Sequence, residues 1–266
     1  MKITKPFIAL LIGAISLFEI VKGQDFSGTN LSSSEPFYKV APYEFEQSEF
    51  YFASFKTDPQ VIKALVPEPL IPFGDEVQLY FAKHHLTSPF HLDYNEVYFL
   101  IIVSLGTQFA GYMPVLYLDD VAGIIPGREI AGFNKVGAII EFKEDKNMVT
   151  IEVIQTDTLI IKADFVLGPS VPPPAKAMDA GSINLKYIPS ALENTPPEVK
   201  QLTFVKMEDR GTTELRPAEV SLSFYSSKFN PLNAIPILEI TKGTYYKNSF
   251  SLTDTQIIYD YLKEEE

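Results

Sequence analysis

The residue most suited to covalent chemistry is Lys135, in the apolar stretch "GREIAGFNKVGAII" from Gly127 to Ile140. Its nearest charged neighbours on either side are Glu129 and Glu141. A lysine attacks a carbonyl only as the neutral amine. Starting from an ordinary pKa of about 10.4, neutrality near pH 7 requires disfavouring the ammonium by about 4.6 kcal/mol. Burial in an apolar pocket can supply shifts of roughly 3–5 units. Gly132, Phe133, Val136, Gly137 and Ala138 are suitable wall material. The residues alone leave two readings open, an exposed turn lysine and a Schiff-base lysine. Glu96 opens the most apolar run of the chain, "EVYFLIIVSL". It is either a strand-end carboxylate in solvent or an acid–base group at the rim of the same cavity. Arg128 and Glu129 are adjacent, so on a strand they would point to opposite faces, each with a structural or a functional reading open.

Other chemistries find less support. The chain has no cysteine, which removes disulfides, thiolate nucleophiles and Cys-based zinc sites. The three histidines spell "HHLTSPFH", with Asp93 close behind. On a strand, His84 and His85 send their rings to opposite faces, and no HExxH spacing occurs, so no metal is expected. There is no glycine-rich phosphate loop and no GxSxG elbow. No cofactor is expected.

The elements that must position Lys135 and Glu96 are short β-rich runs separated by turns. Candidate strands are 50–56, 77–83, 96–105, 112–118, 136–142, 148–155, 158–166, 182–188, 201–207, 218–225 and 237–246. "MVTIEVIQ" alternates and should bury one face, whereas "YFLIIVSL" is apolar on both and should run through the centre. Two helices are expected. One follows Asp58 as N-cap with Pro59 at the first position. The other spans "TDTQIIYDYLK", with Thr253 and Gln256 at capping-box spacing. "GPSVPPPAKAMDAGS" reads as a loop.

With 266 residues and 46% hydrophobic content, the chain can bury a full core. A net charge of −12 argues against nucleic acid and anionic membrane surfaces as partners. At the N-terminus, Lys2 and Lys5 precede an apolar run from Phe7 to Phe18, with Val21 and Gly23 suiting a cleavage site. That is a signal-peptide pattern, and the run is short for a membrane span. The expected organisation is a signal peptide at 1–23, a polar Ser-rich arm at 24–41, and one domain at 42–266. A secreted or periplasmic location follows, with no stable membrane insertion after cleavage.

Several blocks then carry a resemblance: "FKTDPQVIKALVPEPL", "DYNEV", "LYLDDVAGIIPGREIAGFNKVG", "NPLNAIPILEI" and "IIYDYLK". In this order and spacing the chain resembles the acetoacetate decarboxylase family from about Pro42 to Lys263. The resemblance implies an antiparallel sheet curled into a cone or barrel around an apolar pocket, mostly β with a few flanking helices, usually assembled as a homo-oligomer. It implies that Lys135 matches the Schiff-base lysine and Glu96 the acid–base glutamate. Tyr80, Phe133 and Arg128 are expected on the substrate side. The implied function is a lyase acting on a β-keto acid or related keto compound; the alternative is a small-ligand-binding or catalytically altered member, aldolase- or dehydratase-like or inactive. The expected partner is a small keto acid or carbonyl compound. Four positions depart from the family pattern. Val136 replaces a second lysine, and Asn134 a proline. A family arginine falls near Ser48, and a family glutamate near Tyr80. Without an ammonium at position 136, a more alkaline rate profile is expected than in two-lysine relatives.

Overall fold

Alternating and β-branched runs dominate the sequence, and the computed structural model turns nearly all of them into strands. It describes Tyr38, residues 40–174 and residues 180–263. The expected signal peptide and most of the polar arm lie outside the described residues. In chain order the elements are β1 (Tyr43–Lys56), α1 (Pro59–Leu65), β2 (Ile71–Pro72), β3 (Glu76–Ser88), β4 (Leu92–Leu105), β5 (Gln108–Tyr112) and β6 (Leu116–Leu118). Helix α2 (Val121–Pro126) runs directly into a π-helical turn, Gly127–Ala131. Then come β7 (Lys135–Gly137), β8 (Ile139–Asp145), β9 (Met148–Gln155), β10 (Thr158–Leu167), β11 (Ala180–Ile188), β12 (Val199–Phe224) and β13 (Glu239–Asp260).

The strands hydrogen-bond in the order β11-β5-β4-β3-β1-β13-β12, and β12 pairs back onto β11. The result is a closed ring of strands, though not a regular barrel. Most pairings are antiparallel; β5–β11 and β6–β7 are parallel. The far half of β12 leaves the ring and pairs with β10, which carries β9 and β8.

Strand alternation gives β1, β3 and β4 two working faces. One face, with Tyr51, Phe55, Leu79, Phe81, Val97 and Phe99, packs against the β8–β10 extension. There Phe165 meets Tyr51 and Phe81 at ring distances of 5.6 and 5.8 Å. The opposite face, with Phe50, Ala82, Leu86 and Tyr94, meets Val205 of β12 and Phe250 of β13 from across the ring. Burying each large side chain of this kind contributes roughly 1.5–3 kcal/mol. Lys135 and Glu96 belong to this second, smaller cluster's surroundings. Helix α1 forms as expected, with the Asp58 carboxylate accepting from the Gln60 backbone N–H at 2.8 Å.

The expected C-terminal helix is not formed. Residues 253–260 continue β13, with Thr255 opposite Val205 and Tyr259 opposite Leu202. Thr253, Thr255, Ile257 and Ile258 are β-branched, and an open edge on β12 was available to them. The expected strand 112–118 is broken at Pro114, which donates no ladder hydrogen bond, and 136–142 is broken at Ala138.

Candidate active site

Three neighbouring strands bring the lysine and the glutamate together. Glu96 lies opposite Leu118 in the β4–β6 pair, and Leu116 lies beside Lys135 in the parallel β6–β7 pair. The loop feeding Lys135 is fixed at several points. Asp119 accepts from the Asn95 backbone at 2.8 Å and side chain at 2.7 Å. Asp120 caps α2 through Ala122 N–H at 2.7 Å. Phe133 N–H reaches back to Gly127 O at 3.0 Å, closing the π-helical turn. Thr203 donates to Ala131 O at 2.6 Å, and Asn134 donates to Pro114 O at 2.6 Å.

Two glycines in this loop are demanded by space. A Cβ at Gly127 would sit 2.6 Å from Lys135 Cδ, so the lysine stem occupies the room that a side chain would need. Gly132 has φ +80°, a left-handed conformation, and a Cβ there would lie 2.8 Å from both Lys186 Cβ and Thr203 Oγ1.

Lys135 is 7% exposed and Glu96 4%. The amine donates to Glu96 Oε2 at 3.5 Å and to Gly123 O at 3.3 Å. It also lies 5.3 Å from the Phe133 ring centre and 5.7 Å from that of Tyr94. Tyr94, two residues before Glu96 on β4, projects from the same strand face, and its phenol interacts electrostatically with the Glu96 carboxylate. His84 approaches the same carboxylate oxygen, its Nε2 3.8 Å from Oε2 and its Nδ1 3.3 Å from Ser48 Oγ. Ser48 is fully buried and also accepts from His85 N–H at 3.4 Å.

Burial pushes the Glu96 carboxyl above its ordinary range, opposed by the Lys135 ammonium with its hydrogen bond and by the Tyr94 phenol. Burial, followed by the Lys135 charge, drives His84 down to about 3. His84 is therefore a neutral imidazole at ordinary pH, and its approach to Glu96 is dipolar rather than an ion pair. Burial first, and then Glu96, holds the Tyr94 phenol well above its usual value, so it remains an O–H.

A cavity of about 60 Å³ opens onto this cluster, with Phe45, Leu86, Leu92, Phe133 and Ile130 on its walls and Tyr94 and Lys135 at its polar end. Lys135 is the one cation, and no carboxylate is present, among the described residues that line it. Glu96 is not on the wall; it sits behind Lys135 and Tyr94. A buried amine facing a small apolar chamber, with a carboxylate of raised pKa behind it, can form an imine and move protons within it.

The other expected substrate-side residues are placed differently. Phe133 does line the cavity. Tyr80 is on the same face of β3 as His84 but outside the lining, stacked on Tyr98 at 4.8 Å and bonded to Gln78 at 2.9 Å. Arg128 turns away from the cavity. Its guanidinium donates to Lys135 O at 2.9 Å and borders a separate cavity of about 230 Å³ beyond Phe133. Val136 points into the main core, on the opposite side of β7 from Lys135, so it is a packing position here. His84 and His85 do face opposite ways, and the exposed His85 pairs with Asp93 at 2.9 Å. His84, Ser48 and Tyr94 were not singled out as site residues. The contacts of His84 and Ser48 cross between strands, so no local spacing marks them, whereas Tyr94 stands two residues before Glu96 on β4.

A buried lysine–glutamate pair in a ring of mostly antiparallel strands narrows the class, and the comparisons with known proteins specify it. The model of the acetoacetate decarboxylase family matches residues 29–262. The chain is 27% identical over 257 residues to acetoacetate decarboxylase 1 of Mesorhizobium japonicum, covering 92% of this chain and 98% of that protein. It is 25% identical over 244 residues to acetoacetate decarboxylase of Bordetella avium, covering 86% and 93%. Among solved structures, the acetoacetate decarboxylase of Legionella pneumophila superposes with a TM-score of 0.79 at 22% identity, covering 90% of this chain and 98% of that one. The enduracididine biosynthesis enzyme MppR, complexed with pyruvate, superposes with a TM-score of 0.74 at 15% identity, covering 90% and 99%. The chain belongs to the acetoacetate decarboxylase family. The structural likenesses establish the shared fold.

Proposed function

We propose that this protein is a Schiff-base lyase that removes CO2 from a small β-keto acid. The observation that carries the reading is the buried Lys135 amine, 3.5 Å from the buried Glu96 carboxylate and exposed to a small apolar cavity. The curated relatives named acetoacetate decarboxylase support the same reaction class.

The neutral Lys135 amine adds to the ketone carbon, and the carbinolamine loses water to give a protonated imine. That iminium accepts the electron pair of the breaking C–C bond, so CO2 leaves and an enamine forms. A proton returns to the enamine carbon, and water then hydrolyses the imine, releasing the ketone and restoring the lysine. One proton is consumed overall for each keto-acid anion converted to ketone and CO2. The apolar walls assist the central step, because a carboxylate is poorly solvated among them whereas CO2 is neutral. No arginine fork holds the substrate carboxylate among the described lining residues. The side chain at position 48, near the expected family arginine, is a buried serine bonded to His84 and His85.

That missing fork also favours a second reading, chemistry on another keto compound by the same iminium. The neighbour MppR, complexed with pyruvate, has the same fold. Borohydride reduction in the presence of acetoacetate and of pyruvate, read by intact mass and peptide mapping, separates the cases. Decarboxylase function predicts an adduct at Lys135 and CO2 release with the β-keto acid. An adduct with pyruvate and no CO2 from any β-keto acid indicates the second reading. No adduct at Lys135 with either contradicts both.

A further inference from the structure

If Glu96 supplies the proton that quenches the enamine, the proton must cross a gap. Glu96 is absent from the cavity wall, whereas Tyr94 and Lys135 are on it. During that step Lys135 nitrogen is part of the enamine and cannot also serve as the carrier from Glu96 to carbon. The lining offers three hydroxyl side chains, Tyr43, Tyr94 and Thr255. Tyr94 is the one of these on the same strand as Glu96, and its phenol and the Glu96 carboxylate interact electrostatically. Its position follows from the strand: Tyr94 and Glu96 are two apart on β4, so both side chains leave the same face.

Other contacts hold the ring beside the reacting nitrogen. A Cβ built on Gly123 would lie 3.7 Å from Tyr94 Cε2, and Gly123 O accepts from Lys135 Nζ at 3.3 Å. His84 packs on the ring at 5.1 Å between centres. Tyr94 is only 8% exposed, so it does not swing out to bulk water without opening the cluster.

We propose that Tyr94 is a catalytic proton carrier between the cavity and the buried Glu96. The inference rests on the lyase reading and names one further residue for it. The Tyr94 O–H gives its proton to the enamine carbon as the protonated Glu96 carboxyl gives one to Tyr94 oxygen. The bonds broken are O–H of Tyr94 and O–H of Glu96; those formed are C–H of the product imine and a new O–H on Tyr94. Glu96 is left as carboxylate, and a proton from water recharges it during imine hydrolysis. The phenol is never ionised for longer than the transfer, consistent with a group whose deprotonated form is disfavoured by burial.

The test is Tyr94→Phe, which keeps the ring and its packing and removes the hydroxyl. Two readouts are taken on the whole protein: borohydride trapping of the imine with acetoacetate, and deuterium entry from D2O into the methyl group of acetone. Wild-type trapping at Lys135 serves as the control for the lyase reading; its absence overturns both proposals. With that control positive, the Tyr94→Phe protein should trap the imine at a rate within a few-fold of wild type. Deuterium entry and turnover should fall by about 10²-fold or more, the scale of a lost proton-transfer group. Equal loss in trapping and exchange assigns Tyr94 a structural role and overturns the proposal. So does unchanged exchange.

Discussion

His84 is the residue whose role is most exposed to a pH experiment. Its folded pKa is lowered to about 3, from an ordinary 6.5 in the unfolded chain, by burial first and by Lys135 second. The unfolded state thus binds the extra proton more readily. The stability contributed by the neutral ring is fully present above pH 6.5 and is lost as pH falls towards 3. Glu96 works in the opposite direction: its raised pKa makes its contribution largest in acid and reduces it as pH rises through the folded value. A His84→Gln variant isolates the first effect. Its melting temperature should fall less steeply than wild type's between pH 6.5 and 4, in parallel thermal melts. Identical slopes would show that His84 is not held neutral. Glu96→Gln keeps the shape and removes the titration. Turnover should drop by about 10²-fold or more while borohydride still labels Lys135. A loss of labelling would assign Glu96 to imine formation instead.

At the scale of elements, the loop from α2 to β7 decides where Lys135 points. Gly127→Ala puts a methyl group 2.6 Å from the Lys135 stem, so the amine must leave its place between Glu96 and Gly123. Imine trapping should fall by an order of magnitude or more, with a smaller change in melting temperature; unchanged trapping would mean the stem relocates freely. Val136→Lys is a different trial, since Val136 faces the main core. A charged side chain at this partly buried position should destabilise the fold by roughly 0.5–3 kcal/mol. Melting curves of that variant read this directly. Alternation along β7 sends the side chain at position 136 to the face opposite Lys135, so an ammonium there would act on the amine across the strand, and the rate–pH profile reads how much.

The contrast between nearness along the chain and nearness in space explains what the residues alone could and could not disclose. The residues alone left Lys135 and Glu96 open between a bland and a catalytic reading, and the family resemblance was what pointed to the catalytic one. The helix after Asp58 was legible from its cap and proline. The α2 helix and π-helical turn were not: "VAGIIPGREIA" mixes glycine, proline and isoleucine without a helical stripe, and its shape is fixed by Asp120, Thr203 and Gly132 instead. At residues 253–260, capping-box spacing competed with β-branched content and lost to pairing with β12. The meeting of His84 with Ser48 and Glu96 depends on register between β1, β3 and β4, which a single sequence does not specify.

For the whole molecule, the closed ring is the scaffold on which the site depends. The last third of β13 covers one flank of β12 opposite Gln201–Lys206, next to Val205 of the site cluster. Removing residues 253–266 strips these pairings. The melting temperature should fall by several degrees at least, at about 2–4 °C per kcal/mol for a chain of this size, and imine trapping should be lost. A truncated protein with an unchanged melt would place the C-terminal strand outside the folding unit.

Borohydride trapping with acetoacetate, followed by peptide mapping of the whole protein and of Lys135→Ala, decides whether the Lys135 amine is the covalent centre. One stable adduct per chain is expected, located at Lys135, absent from the Lys135→Ala protein, and accompanied by CO2 release in the unreduced reaction. An adduct at another lysine, or turnover that survives in Lys135→Ala, would contradict it.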